Sequence, residues 1–489
     1  MKIRLILSIM ALSTLLALDA SARNAQESIV IISDVHLLSP ELITPGSAID
    51  RADAVETKMM AMSDEIMTAI IDSIIDIKPA VVLVTGDLTH NGERASHERM
   101  AQHLDRMKQY GIQPLVIPGN HDCNNPSARC FDGDKVLPTA TVTREEFAQI
   151  YADFGYGQTS QRDTASLSYC CEPMTNVVVI GIDSNMDELN TLMSRGDSAD
   201  TYHNSGRIKP ETLQWVIDRA NEAKQQGKEV IAMMHHHLVT HFDQEERLLA
   251  NYIVNDHSNV ADRLMQAGIH IVFTGHLHVT DAATRHTAER NDSIVEIATG
   301  SAICYPFALR TATLDRDNRT LAIDTHWLTA TATCPTLREL GRQRIINSTP
   351  GMAALLSGKA WSKIGGRMNQ LKAMIEMGGG KANLPETPQQ ATQLALRHLS
   401  EVLTRTMLAI VEGNENENDI DGLIQEGQQG IRAIIAEVAP DQADNLWDFF
   451  QSDVYPKLDP LVRSLLEDRN SVGTSTESRT SDLSLTVNL

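Results

Sequence analysis

Ser28-Ile29-Val30-Ile31-Ile32-Ser33-Asp34-Val35-His36 is an apolar, β-branched run that ends in a hydroxyl, a carboxylate and an imidazole. A continuous run of this kind, bounded by polar residues, is the signature of a strand buried on both faces. The ends of such strands are where an open α/β sheet holds its ligand. The same arrangement recurs along the chain. The run at 80–85 leads into Gly86-Asp87, that at 113–117 into Gly119-Asn120-His121-Asp122, that at 229–234 into His235-His236-His237, and that at 269–274 into Gly275-His276-Leu277-His278. A further run at 176–182 ends at Asp183. Between them, apolar residues spaced by three and four predict helices over 56–77, 96–109, 210–226 and 257–267. The alternation predicts an α/β layered core, with short strands near 293–299, 309–316 and 321–327 completing a second sheet.

The residues at these strand ends form a donor set. Asp34, His36, Asp87, Asn120, His235, His276 and His278 offer carboxylate, amide and imidazole groups, which suit first-row cations such as Mn, Fe or Zn better than a thiolate-preferring metal. An aspartate between two cations can bridge them. Gly86, Gly119 and Gly275 let the backbone turn sharply and a substrate approach. A single Asp-x-His or His-x-His is usually an accident of surface or core. Five such pieces in order, each closing a strand, are not.

The ordered series Asp-x-His, Gly-Asp, Gly-Asn-His-Asp, His and Gly-His-x-His resembles the calcineurin-like metallophosphoesterase superfamily over about residues 28–330. The segment Gly86 to Glu93, Asn124-Asn125-Pro126 and Thr299-Gly300-Ser301 look like an exported bacterial subgroup of it; the smaller cyclic-nucleotide phosphodiesterases look like more distant relatives. The resemblance implies a four-layer α/β/β/α sandwich and two divalent or trivalent metal ions. Asp34, His36, Asp87 and His278 would hold one, and Asp87, Asn120, His235 and His276 the other, with Asp87 as the bridge. It selects His235, the first of three histidines, over His236 and His237. It makes His121 the catalytic residue that is not a ligand, contacting the phosphate or helping the leaving group depart. Two cations about 3.5–4 Å apart can hold a bridging hydroxide and polarise phosphoryl oxygens, so hydroxide is the expected nucleophile, with His121 as proton donor. The implied activity is hydrolysis of phosphate esters, diester favoured over monoester. Where the superfamily's protein phosphatases place an aspartate three residues after the bridge, this chain has His90, so protein phosphatase activity is not expected. Asp122 and Asp183 could each orient a histidine or merely cap a loop. Asn124, Asn125 and Arg129 follow the Gly-Asn-His-Asp loop, and Asn125 and Arg129 are the substrate-binding candidates, an ordinary surface ion pair being the competing reading of Arg129. The alternative to an enzyme is a non-catalytic envelope binding protein with a structural metal site.

The rest of the chain sets the context. Lys2 and Arg4, an apolar run from Leu5 to Leu18 and Ala20-Ser21-Ala22 have the form of a cleaved signal peptide over 1–22, shorter than the roughly 18 to 20 apolar residues that span a bilayer. The mature protein is expected to be periplasmic or secreted, with no transmembrane segment. A net charge of -22 repels polyanions, which excludes long nucleic acid as a partner and leaves small-molecule, lipid or cell-envelope phosphate esters. The phosphoesterase domain is expected over 23–338. After Pro335 the strands give way to helices expected at 350–376, 388–412, 421–437 and 440–452, a C-terminal domain spanning 339–469. The Ser- and Thr-rich stretch 470–489 is expected to be a mobile tail. Of the six cysteines, Cys123 and Cys130 bracket a short loop and are the first candidates for a disulfide, adjacent Cys170 and Cys171 would bond only with strain, and Cys304 is expected to pack near the site. Oligomeric state is not legible in the sequence.

Overall fold

The computed structural model describes residues 28–157, 160–190, 203–287, 289, 292–413, 419–466 and 482–489. The expected signal peptide at 1–22 lies outside the described residues. In chain order the strands are β1 (Ser28–Ile32), β2 (Ile43–Thr44), β3 (Val81–Val84), β4 (Gln113–Val116), β5 (Arg129–Asp132), β6 (Lys135–Pro138), β7 (Gln161–Arg162) and β8 (Tyr169–Met174). There follow β9 (Val177–Ile182), β10 (Glu229–Met234), β11 (Ile271–Thr274), β12 (Asp281–His286), β13 (Ser293–Ala298), β14 (Ala308–Asp315), β15 (Thr320–Trp327) and β16 (Ser484–Asn488). A six-stranded sheet runs β16-β15-β14-β1-β3-β4 and a seven-stranded sheet runs β12-β13-β11-β10-β9-β8-β7, with β2, β5 and β6 in a small third sheet. Helices Ser63–Ile77 and Arg94–Lys108 pack outside the first sheet, and Pro210–Gln225 and His257–Ala267 outside the second, which makes the four-layer α/β/β/α sandwich.

Hydrophobic periodicity explains most of these elements. β1, β3 and β4 pair in parallel and are buried almost throughout, which is why they read as unbroken apolar runs. Helix Ser63–Ile77 buries Ile66, Met67, Ile70, Ile71, Ile74 and Ile75, one stripe at three- and four-residue spacing. The helix expected over 56–77 begins only at Ser63, because Met59 and Met60 turn inward and Met59 N–H donates to Ile303 O.

The second sheet also differs from expectation. Only β13 joins it; β14 instead pairs antiparallel with β1, and β15 with β14. β1 is buried on both faces, so both of its edges need backbone partners, and periodicity does not say which later strand supplies the second.

Beyond Pro335 the chain is helical: Leu337–Ile364, Met368–Met377, Pro388–Glu412, Ile420–Val438, Ala443–Phe449 and Tyr455–Leu466. The last of these extends past the expected end at 452. Leu337, Ile345 and Leu408 belong to the same buried core as the sandwich. None of the helices among the described residues is long and apolar enough to cross a membrane. The tail needs correction at its end, since β16 pairs antiparallel with β15 from Thr320↔Asn488 to Asp324↔Ser484. Its Ser, Thr and Asn face solvent while Leu485 and Val487 are buried, a period of two hidden under a polar composition. Residues 470–481 lie outside the described residues. The expected Cys123–Cys130 bridge is absent, for all six cysteines are unbonded. Cys123 is buried in the core and Cys130 sits in β5 opposite Leu137.

Leu485→Ala is expected to cost about 2–5 kcal/mol, against under about 0.5 kcal/mol for solvent-facing Thr486→Ala. Equilibrium denaturation of both variants checks that β16 is part of the folded sheet.

Candidate metal centre

Three of the five donor-bearing loops, those after β1, β3 and β11, leave their strands with a backbone reversal. Asp34, His36, Asp87, His276 and His278 all have left-handed φ, between 41° and 72°. For residues with a Cβ such conformations cost about 1–3 kcal/mol each and cluster at functional sites. Two glycines make the approach of the loops possible. A Cβ on Gly119 would lie 2.2 Å from Asp87 N and Oδ1, and one on Gly275 would lie 1.9 Å from Ser33 Oγ.

Hydrogen bonds then aim the donor atoms. Asp34 Oδ2 accepts from Ser33 Oγ at 2.6 Å and from His276 N–H at 2.9 Å. Its Oδ1 is buried without a hydrogen-bond partner and faces His278 Nε2 at 3.3 Å and His36 Nε2 at 3.9 Å. His36 Nε2 and His278 Nε2 approach each other to 3.0 Å. Asp87 divides its oxygens likewise. Oδ1 accepts from His121 N–H at 2.9 Å, whereas Oδ2 lies 3.6 Å from His36 Nε2 and 3.4 Å from His235 Nε2. One oxygen thus faces both groups of donors.

On the other side, His235 Nδ1 donates to Thr85 O at 2.9 Å, which leaves Nε2 pointing at Asn120 Oδ1, 2.8 Å away. His276 Nε2 lies 3.1 Å from Asn251 O, a carbonyl that can only accept, so Nδ1 is the free donor atom. All seven residues singled out from the sequence converge, in two sets that share Asp87.

The electrostatics show what the sets are built for. Burial opposes charge on every imidazole, but Asp87 outweighs it at His235 and holds that ring up at about 9, and Asp34 does the same for His278, at about 10. Burial also opposes charge on Asp34 and Asp87, yet the same imidazoles keep both carboxyls below their ordinary range. His276 is pushed down to about 3 by burial and by His235, and His36 well below its usual value by burial. Two protons therefore sit where two cations would bind. Two buried carboxylates, an amide oxygen and four imidazoles with a ring nitrogen turned inward fit a pair of borderline divalent metals once the two protons leave.

His121 stands at the mouth of this cluster. Its Nδ1 donates to His90 O at 2.8 Å and to Asn91 Oδ1 at 2.9 Å, so Nε2 faces the centre, 3.9 Å from Asp87 Oδ2. Burial pushes its pKa down to about 4. The aspartate that protein phosphatases place at position 90 is thus replaced by a main-chain carbonyl and by Asn91, a residue the sequence reading passed over although it lies within the segment from Gly86 to Glu93. Asp122 orients no histidine with its side chain. It accepts from Leu88 N, Thr89 N, Thr89 Oγ1 and Gly119 N, stapling the loops that carry Asp87 and Asn120. Asp183 receives Arg144, Leu167 N and Asn185 N and is likewise a strut.

The two substrate candidates bond to their own loop. Asn125 is buried, donating to His121 O at 2.9 Å and accepting from Ser127 N. Arg129 Nη1 donates to Pro126 O and Ala128 O. Both fix the loop behind His121, a use of side chains that spacing does not reveal. Cys304 does pack beside the centre, its Sγ 3.6 Å from His278 Nδ1. Lys58, which the sequence did not single out, lies near enough that its ammonium lowers the pKa values of His36, His90 and His121.

Two donor sets joined by one carboxylate oxygen, at strand ends of an α/β/β/α sandwich, define a metallophosphoesterase scaffold. Residues 27–280 match the calcineurin-like phosphoesterase family, and the chain belongs to that family. Over 98 residues it is 36% identical to a probable cyclic nucleotide phosphodiesterase of Ruthia magnifica subsp. Calyptogena magnifica, a stretch covering 20% of this chain and 34% of that protein. Over 124 residues it is 28% identical to a 3′,5′-cyclic-nucleotide phosphodiesterase of Nostoc sp., covering 25% of this chain and 38% of that protein. The chain therefore matches little more than a third of the length of these curated relatives. Among solved structures, a dimetal phosphatase from Danio rerio is similar over 62% of this chain and 96% of its own, at 14% identity and a TM-score of 0.40.

Metal binding requires unprotonated imidazoles. Because His235 and His278 hold protons up to about 9 and about 10, loading the metal-free protein at neutral pH is expected to release about two protons, and apparent affinity is expected to climb with pH through that range. Calorimetry in buffers of different ionisation enthalpy measures the release; pH-independent affinity would contradict it.

Proposed function

We propose that this chain hydrolyses phosphate esters, diesters in preference to monoesters, at a binuclear metal centre. The observation that carries the reading is Asp87 Oδ2, turned toward both donor sets, with His121 Nε2 aimed at the same point. Asp34, His36, Asp87 and His278 would hold one ion and Asp87, Asn120, His235 and His276 the other, drawn from Mn, Fe or Zn. When bound, the two ions supply Lewis acidity toward the phosphoryl oxygens and make a water acidic enough to serve as the nucleophile near neutral pH.

The chain's own groups do the rest. His121, fixed through Nδ1, presents Nε2 to the phosphate and to the departing oxygen. Its depressed pKa leaves it neutral in the free protein, so donation from Nε2 requires that it take up a proton when the ester binds. Lys58 adds a positive charge near His36 and His121. Its carbonyl accepts from Arg344 Nη1 at 3.1 Å, so a helix of the C-terminal region holds the loop that presents it.

The group beyond the phosphate is proposed to be apolar or lipid-like. A cavity of about 260 Å³ lies between the sandwich and the C-terminal helices, lined by Phe242, Leu277, Val279, Met352, Met407 and Ile410. Leu277 stands between two of the metal-binding histidines. This supports a small, lipid or cell-envelope ester as substrate, encountered after export to the periplasm or beyond, while the charge of -22 argues against long nucleic acid.

Metal-loaded protein is expected to cleave bis(p-nitrophenyl) phosphate, and chelation or Asp87→Asn to abolish turnover. Activity that survives both would refute the two-metal reading, and no turnover by the loaded protein on a broad panel of phosphoesters would refute hydrolysis itself. His121→Gln is expected to reduce kcat by about 10²–10⁴-fold, more for an alkyl ester than for the p-nitrophenyl ester, whose leaving group needs no proton. Ile410→Ser is expected to raise KM for a long-chain ester while leaving KM for bis(p-nitrophenyl) phosphate unchanged.

A further inference from the structure

A second cluster of imidazoles and carboxylates lies next to the centre, and phosphoester chemistry has no use for it. His237, His241 and Glu296 are all buried, and their donor atoms lie within 4.8 Å of one another. His237 Nδ1 is held by Glu245 Oε1 at 2.8 Å, and His241 Nδ1 by Asp281 Oδ2 at 2.9 Å. Each carboxylate therefore fixes its imidazole with Nε2 turned inward, the carboxylate–histidine arrangement that orients metal-binding histidines. Neither Nε2 has a hydrogen-bond partner in the protein.

Glu296 is set up in the same manner. Its Oε2 accepts from Leu238 N at 2.7 Å and Val239 N at 2.6 Å, and its Oε1 accepts from Thr274 Oγ1 at 2.6 Å. That same Oε1 lies 3.3 Å from His241 Nε2. A tetrahedron with bonds of about 2.0–2.1 Å to nitrogen and oxygen has edges of about 3.3 Å, so this separation is that of two ligands around a common ion.

We infer that His237 Nε2, His241 Nε2 and Glu296 Oε1 hold a third cation, a zinc-type divalent ion with a water in the fourth position, whose role is structural. The competing arrangement is an ion-free one in which burial is outweighed by Asp281 and Glu296 and His241 stays protonated. That proton does nothing for His237 Nε2, which the protein leaves buried without a hydrogen-bond partner. A cation serves all three donors at once. It would also tie together the segments that carry three of the seven donors of the first centre. His237 follows His235 by two residues, Asp281 follows His278 by three, and Thr274 immediately precedes Gly275 and His276.

The inference stands apart from the proposed hydrolysis and is read without activity. Crystals of the full chain grown with zinc are expected to show an anomalous peak between His237, His241 and Glu296, and elemental analysis to find about three ions per chain. Glu296→Gln keeps an acceptor for Leu238 N and Val239 N but loses the anionic ligand, and it is expected to remove one ion. Asp87→Asn combined with His235→Gln is expected to lower the metal content of the first centre while leaving the anomalous peak between His237, His241 and Glu296 in place. No anomalous density at the cluster, or an unchanged metal count in Glu296→Gln, overturns the inference. Should Glu296→Gln fail to fold, the anomalous map of the unaltered chain decides alone.

Discussion

Two carboxylates buried between two sheets govern this molecule. Asp34 and Asp87 are both fully enclosed, and an unpaired buried carboxylate costs several kcal/mol. The chain meets that cost by making every neighbouring loop contribute a compensating group. His276 N–H and Ser33 Oγ turn to Asp34, His121 N–H turns to Asp87, and the imidazoles of His235 and His278 share their protons with the two carboxylates. The left-handed backbone at five of the seven donor residues is the geometric expense of bringing strand ends from both sheets to one place. The sandwich can be viewed as the frame that holds these loops against one another while the electrostatic strain is offset by whatever cations bind.

The central strands and the donor residues were legible for the same reason. A parallel strand covered on both faces must be apolar along its length, and the first residue free of that demand stands at its end. Reading where each apolar run stopped therefore located Asp34, Asp87, Asn120, His235 and His276. What was not legible depends on partners distant in sequence. Nothing in 308–315 announces that it pairs with β1 rather than extending the second sheet. Asn91, Asn125 and Arg129 differ in role only through which carbonyl lies within reach. Polar loop residues carry no periodicity, so the sequence shows that they are polar and not which way they turn. The three-histidine run is a related case. Its first ring joins the metal centre, its second bonds Ser184, and its third meets Glu245, a difference set by which partner lies within reach of each ring.

The C-terminal region is joined to the sandwich by more than adjacency. Arg344 reaches the carbonyls of Asp53 and Lys58, Tyr305 bonds Glu412, and Asp243 N–H donates to Ser464. These contacts fall on the loops before the helix Ser63–Ile77, after β13 and after the histidine run, three places that border the metal centre. The helices thus act on the geometry of the site through the backbone of its loops as well as through the apolar cavity they help to line.

The pairing of β16 with β15 gives the chain an unusual order of assembly. Residues 484–488 leave the ribosome after the entire helical region, yet they complete the edge of the sheet whose centre is β1, and Arg310, buried beneath them, donates to the carbonyl of Asp482. The sheet that starts first is therefore finished last. Until then β15 presents an open edge of the kind that recruits foreign strands, and any process that delays or removes residues 484–488, such as proteolytic trimming, would act on the solubility of the newly made protein before it acted on the site.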